Sequence, residues 1–250
     1  MAAPSPSSTV PLQKYRRLRV VTLLLLAVCV FLGIALFAQS TEQGTETSGA
    51  PAETSAPSAE QSGPDEASYV RADPEDPMAI GDPDAPVVLS EWTDMRCPFC
   101  AVFNRDTLPA IIEEYVEAGK VRIEINDVAY FGDESADAAI AARAAGNQGG
   151  YAEYLEALYA AAPEEGHPDM PREKLIGFAK TAGIADLAQF ERDLDDPELR
   201  RAVEASTAQA QQLGVSGVPF FVADGQALSG AQPVEAFREF LDGVLADAQK

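Results

Sequence analysis

The 250-residue sequence is short of the side chains that build most metal and acid–base sites, with three cysteines, one histidine and one tryptophan. Three cysteines cannot supply the several bridges that staple a small secreted domain. A structural zinc site needs four ligands. With Cys29 set inside an apolar run, only Cys97, Cys100 and His167 remain, so no metal site is expected. A cysteine hydrolase needs a histidine base. The sole candidate, His167, stands in Gly166-His167-Pro168-Asp169, which reads as an exposed surface turn without a catalytic part. Positive charge is scarce as well: 18 Lys and Arg face 40 Asp and Glu, a net charge of −22. Four of those basic residues, Lys14, Arg16, Arg17 and Arg19, fall in the first nineteen positions, leaving the rest more acidic still. That balance disfavours nucleic acid or an anionic lipid surface as a partner. It reads as a solvated surface and names no substrate.

Charge is missing altogether from Val20 to Ala38, an apolar run relieved only by Thr22 and Gly33. The run has about the length of a membrane-spanning helix and exceeds the ~7–15 residue core of a cleaved signal. An uncleaved anchor is therefore expected over 20–38. The basic residues keep 1–19 cytoplasmic and place the remainder outside the membrane. A signal cut near Ala38 is the alternative, and it too exports the rest. Cys29 reads as a small hydrophobe in this run. Residues 39–70 lack the opposite class, having almost no large apolar side chain, and are expected to form a flexible linker.

A globular order begins near residue 71. After a Pro- and Asp-rich approach, Val87-Val88-Leu89 opens a buried strand that runs to about Thr93. A helix starts at or near Cys97 with Pro98 in its first turn; Pro109 should kink or interrupt it, and Gly119 closes it. Val121, Ile123 and Ile125 alternate with Arg122 and Glu124 as a strand with one polar face. From about 135 to 213 the spacing gives only helices, five of them, an insertion into something else. Pro219-Phe220-Phe221-Val222, a turn at Asp224-Gly225 and Gln226–Ser229 make a hairpin, and an amphipathic helix follows from about Gln232. Trp92 reads as core packing. The order strand, helix, strand, helical insert, hairpin, helix gives an α/β fold with a central mixed sheet flanked by helices.

The chemistry concentrates in Cys97-Pro98-Phe99-Cys100. A two-residue gap brings the sulfurs within bonding reach when the segment is the first turn of a helix. There, unpaired backbone N–H groups and the helix dipole stabilise a thiolate on Cys97. Cys100, one turn further in, should be more buried and less acidic. Covalent haem attachment would need His after the second cysteine, where Ala101 stands. A redox pair is expected, with an inert structural disulfide as the alternative.

Three motifs together resemble the DsbA-like family of thiol-disulfide oxidoreductases: Cys97–Cys100 at a strand-to-helix junction, Gly217-Val218-Pro219-Phe220 before the hairpin, and Glu91 six residues ahead of Cys97. The resemblance covers about residues 71–250. It implies a thioredoxin fold with an inserted α-helical domain, here preceded by one transmembrane helix. It implies a redox-active Cys97–Cys100 disulfide with no other cofactor. It further implies a cis Val218–Pro219 bond beside that disulfide, a substrate segment pairing with the backbone of Gly217 and Val218, and a buried Glu91 that handles the proton of the inner cysteine. The implied activity is the oxidation of reduced, unfolded exported proteins, with reoxidation by a quinone-linked membrane protein that is DsbB-like or VKOR-like. One residue departs from the pattern. Strongly oxidising members often carry His where Phe99 stands, so an exported reductase or isomerase is the alternative. A peptide-binding chaperone with a merely structural disulfide is the alternative from another class. Dimeric isomerases have a separate N-terminal dimerisation domain, which residues 39–70 are too polar to supply, so a monomer is expected.

Overall fold

The computed structural model describes residues 68–248. The expected basic N-terminus 1–19, the anchor 20–38 with Cys29, and the linker up to residue 67 lie outside them. Five strands form one sheet in the order β1-β3-β2-β4-β5: β1 Ala79–Ile80, β2 Val87–Thr93, β3 Val121–Asp127, β4 Phe220–Ala223 and β5 Gln226–Ser229. β2 and β3 run parallel, in register from Val87↔Val121 to Thr93↔Asp127, and the other pairings are antiparallel. A parallel pair needs a crossover. The helical segment 98–116 supplies it. The two central strands are apolar-rich and almost wholly buried, which sets the sheet inside the molecule.

The crossover is helical throughout but alternates in pitch. α1 (Pro98–Val102) widens into a π-turn over Phe103–Thr107, tightens into α2 (Leu108–Ile111), and widens again over Ile112–Val116. Pro109 therefore changes the helix without ending it. Its ring would collide with the carbonyl four residues back in a regular helix, and the wide turn just before it makes room. Gly119, at φ 65°, then turns the chain into β3.

Between β3 and β4 come five helices: α3 Asp133–Gly146, α4 Tyr151–Ala160, α5 Arg172–Thr181, α6 Leu187–Asp193 and α7 Pro197–Gln212. α3 is the inner one, and Ala138, Ala139, Ala141, Ala142, Ala144 and Ala145 are all fully buried. Such small side chains let α4 and α7 approach it closely. After the hairpin, whose Asp224 and Gly225 both have positive φ (47° and 70°) as its tight turn requires, α8 (Val234–Asp247) packs back on the sheet. Phe103, Phe221 and Phe237 meet with ring centroids 4.5–5.1 Å apart and tie crossover, β4 and α8 together. On the sheet's other face Trp92 packs between Tyr69 and Phe220, each at 5.9 Å.

Three details differ from the sequence reading. β1 was not expected, since two strand residues among prolines and aspartates leave no periodicity to read. Tyr69, placed in the linker by composition, is buried against Trp92, so the packed body starts before residue 71. The polar face of β3 is covered rather than solvated. The incoming chain folds over it, with Arg71 N and Ala72 N donating to the Glu124 carboxylate at 2.7 and 3.1 Å. Arg71 also reaches Asn126, Arg122 pairs with Glu124 at 3.2 Å, and Arg143 grips Asp127 through two 2.6 Å bonds.

Candidate active site

β2 delivers the site. Residues two apart on a strand share a face, so Glu91 and Thr93 point to the same side while Trp92 faces the other. After Thr93 the chain turns sharply, Cys97 N donating to Asp94 O at 3.0 Å. The buried Asp94 carboxylate fastens that turn. One oxygen accepts from Arg96 N (2.8 Å) and Ser135 Oγ (2.9 Å), the other from Tyr130 N (2.8 Å). Cys97 is the residue that caps α1, in extended conformation, and Pro98 occupies the first helical position, where its missing N–H costs nothing. Cys100 follows on the inner face.

Both thiols are free, and their surroundings are unequal. Cys97 borders a cleft of about 650 Å³ that Pro98, Phe99, Phe131, His167, Gly217 and Val218 also line. Its Sγ donates to Val218 O at 3.5 Å. The Val218–Pro219 bond is cis, as the resemblance implied. Cys97 is held below the ordinary thiol range chiefly by the hydrogen bond from the Cys100 thiol. Backbone N–H groups of Cys100 and Phe99 add to this, against the cost of burial and the nearby Asp94 charge. Cys100 has no exposed surface, and burial, then the neighbouring Cys97 sulfur, push its thiol well up. The two sulfurs are thus pushed in opposite directions, Cys97 beside the cleft toward the thiolate and Cys100 beneath it toward the thiol.

Glu91 lies between β3 and β4, opposite Ile125 and Phe221, and is 4% exposed. Burial pushes its carboxyl up to about 8, and a hydrogen bond with Thr93 offsets only part of this. A carboxylic acid that keeps its proton near neutrality, on the strand that leads into the cysteine pair, is suited to give and take a proton. Of the expected residues, Cys97, Pro98, Phe99, Gly217 and Val218 line the cleft, Pro219 follows Val218 through the cis bond, and Cys100 on α1 and Glu91 on β2 are both buried. Phe99 is 63% exposed, the one large apolar side chain so exposed among the described residues.

Sequence reasoning missed five neighbours. His167 is exposed, as expected of a turn, yet that turn forms the cleft's rim. Its ring stacks on Phe131 at 3.8 Å and its Nδ1 sits 3.1 Å from Arg96 O. Arg96 anchors the same rim by donating to Pro168 O and Phe131 O, both at 2.7 Å. Asp94 and Thr93 were legible as neighbours of the motif, and the period-2 alternation from Glu91 places Thr93 on the reactive face. Tyr159, whose hydroxyl lies 2.8 Å from Thr93 Oγ1, comes from α4, and no local signal could announce it.

A family model described as Thioredoxin matches residues 73–243. The probable disulfide bond formation protein D of Bacillus anthracis is 28% identical over 151 residues, which cover 59% of this chain and 70% of that protein. The crystal structure of oxidised BdbD from Bacillus subtilis superposes with a TM-score of 0.64 at 22% identity, covering 74% of this chain and 97% of that one. At that identity the likeness speaks for the fold alone. A thioredoxin-like oxidoreductase from Silicibacter pomeroyi superposes with a TM-score of 0.57 at 28% identity over 68% of this chain and 92% of that one.

Proposed function

Because the chain belongs to the thioredoxin family and is a DsbA-like protein disulfide oxidoreductase, we propose that Cys97 and Cys100 form its redox-active disulfide and donate it to reduced, unfolded exported proteins. The observation that carries this is the inequality of the two sulfurs, one lining an apolar cleft with its thiol held low and one wholly buried with its thiol pushed up. A substrate thiolate attacks Cys97 Sγ, the S–S bond breaks, and Cys100 leaves. The substrate's second thiolate then attacks its own bridged sulfur and expels Cys97, whose stabilised thiolate is a good leaving group. The cleft's apolar walls suit an extended, unfolded segment. Strand pairing of β4 begins only at Phe220, which leaves the Gly217 and Val218 backbone on the cleft wall for that segment.

In this reading the helix over 20–38 holds the enzyme in the membrane with residues 1–19 in the cytoplasm and the catalytic domain outside, working as a monomer. The reduced pair passes its electrons to a quinone-linked membrane protein, DsbB-like or VKOR-like. No cofactor other than the disulfide is needed. Phe99 favours a second reading, a reductase or isomerase. The Cys97 thiolate is supported here by backbone and by Cys100, with Asp94 opposing it, and without a histidine donor the disulfide is less oxidising.

The reduction potential of the full-length chain in detergent, equilibrated against glutathione buffers, separates the two. A value toward about −120 mV means disulfide donation, and one near about −270 mV means reduction. Replacing both cysteines by Ser should abolish exchange. If peptide binding and suppression of aggregation were the only activity, and survived that change intact, the redox reading would fall.

A further inference from the structure

One wall of the cleft comes from a segment with little to hold it in place. Residues 161–169, which lead from α4 toward α5, contain no helix or strand and bury no side chain fully before Met170. Gly166 and His167 line the cleft from this segment, Gly166 turning the chain at φ 79°. The start of the segment is tied by Arg105, which donates to Tyr159 O and Ala162 O at 3.0 and 3.2 Å. Its end is tied by the buried Met170, whose N donates to the Glu134 carboxylate at 3.0 Å. The turn between these ties has only polar contacts to position it.

Arg96, the residue just before Cys97, supplies them. Its Nε donates to Pro168 O and its Nη1 to Phe131 O, both at 2.7 Å, while Nη2 pairs with Glu134 at 3.0 Å and reaches His167 O at 3.4 Å. One planar fork thus joins the turn, the Phe131 backbone and the acid that holds Met170. The clasp is returned from the other side. A carbonyl can only accept, so His167 Nδ1 donates to Arg96 O across 3.1 Å, with the imidazole lying on the Phe131 ring. Arg96 does not figure among the groups that set the nucleophile: Cys97 is held low by the Cys100 thiol and backbone N–H groups, and opposed by Asp94. Its guanidinium serves the wall.

We propose that Arg96 is the positioning residue for this wall, and that through the wall it sets the enzyme's preference for unfolded polypeptide over small thiols. The inference rests on reading the cleft as the place where an extended substrate segment lies. A polypeptide gains affinity from side chains remote from its reacting sulfur, and those side chains meet Phe131 and His167; a small dithiol brings its sulfurs and little else. Thiolate attack on Cys97 Sγ, with Cys100 leaving, is the same reaction for both. What Arg96 changes is how much of the polypeptide is held while it happens. Arginine suits the task because its rigid fork meets several acceptors at fixed angles, where a lysine ammonium offers a single point of charge.

The test sets the oxidised full-length chain in detergent against two reductants, dithiothreitol and an unfolded peptide carrying two reduced cysteines among apolar residues, with acid quench and chromatography. Arg96→Gln should raise KM for the peptide about tenfold, roughly the contact of one apolar side chain, with a much smaller change in kcat. Its loss with dithiothreitol should be several times less. Arg96→Lys keeps the charge beside Glu134 but not the fork, and should behave like Arg96→Gln. His167→Ala, at an exposed position, removes the returning bond and the stack; it should lose part of the same preference, and it carries the test if Arg96→Gln does not fold. The double variant should lose little beyond Arg96→Gln alone. A parent that takes the peptide no better than dithiothreitol would withdraw the cleft as a substrate site and this inference with it. A parent that prefers the peptide, beside an Arg96→Gln that keeps the preference, would overturn the role of Arg96 and leave the cleft in place. Full recovery in Arg96→Lys would assign the effect to charge and overturn the clasp. Equal losses with both reductants would make Arg96 a support of the reacting sulfur and overturn its part in recognition.

Discussion

Two sets of buried polar groups flank the middle of the sheet, and they are held in opposite ways. Along β3, Glu124 and Asp127 are met by cations and N–H donors: Arg122, the backbone of Arg71 and Ala72, and the two-pronged grip of Arg143. One strand over on β2, Glu91 is equally buried, and the partner it finds is the hydroxyl of Thr93. The first set closes the domain by fastening the incoming chain and α3 to the sheet. The second stores a proton. Burying a carboxyl with an arginine makes a fastener, and burying one without makes an acid.

The largest test of this contrast removes a fastener. Asp127→Ala leaves the Arg143 guanidinium largely buried without its carboxylate, which should cost about 3–5 kcal/mol in urea unfolding at an unchanged m-value. The reduction potential of the folded protein should stay where it was. A loss under 1 kcal/mol would show that the pair contributes no more than a surface bridge.

Removing the acid should depend on pH and take the opposite sign at its alkaline end. The folded carboxyl of Glu91, at about 8, holds a proton that the unfolded chain releases near its ordinary 4.5. Its contribution to stability is therefore full below pH 4.5 and is lost as pH rises toward 8. Relative to this, Glu91→Gln should be about 1–2 kcal/mol less stable than the parent at pH 4, where only the cost of the buried amide counts, and roughly 2–3 kcal/mol more stable at pH 8, where the linkage gain exceeds that same cost. A stability difference independent of pH would refute a protonated Glu91.

Much of this was legible in the sequence and some could not have been. The cysteine pair, Glu91, the Val218–Pro219 turn and the five-helix insert each leave a local trace: a spacing, an alternation, a helix stop. Tyr159 and His167 leave none. Each reaches the site across more than sixty residues of chain, and a tyrosine on an amphipathic stripe or a histidine in a Pro- and Gly-bounded turn looks the same wherever it lands. The polar alternation of β3 was read correctly as a pattern, but alternation cannot say whether water or another part of the chain covers the polar side. Tyr69 was lost because a single aromatic at the end of a polar stretch cannot be told from linker by composition.

The contrast sharpens further at the cleft. A histidine in place of Phe99 would add a donor to a thiolate that otherwise relies on the Cys100 thiol and backbone N–H groups. Stabilising that thiolate favours the reduced form and makes the disulfide a stronger oxidant. Phe99→His should raise the potential by about 30 mV, the equivalent of about 1.4 kcal/mol, and move the Cys97 titration, followed by thiolate absorbance, further down. An unchanged potential would mean that Phe99 points too far out to matter and does not set the direction of electron flow.

The smallest expected effect asks whether every buried polar group in this domain has work to do. Two tyrosines of α4 lie one turn apart and are both enclosed. Tyr154 donates to Leu175 O at 3.2 Å, joining α4 to α5, whereas the Tyr151 hydroxyl has no hydrogen-bond partner among the described residues. An unmade bond inside a protein is a cost, and taking away the hydroxyl removes it. Tyr151→Phe should therefore be neutral or stabilising by up to about 1 kcal/mol, and Tyr154→Phe should lose about 1 kcal/mol. If Tyr151→Phe instead slowed the exchange reaction without changing stability, its hydroxyl would belong with Glu91 and Thr93, and the proton store would extend further along α4 than the hydrogen bonds trace it.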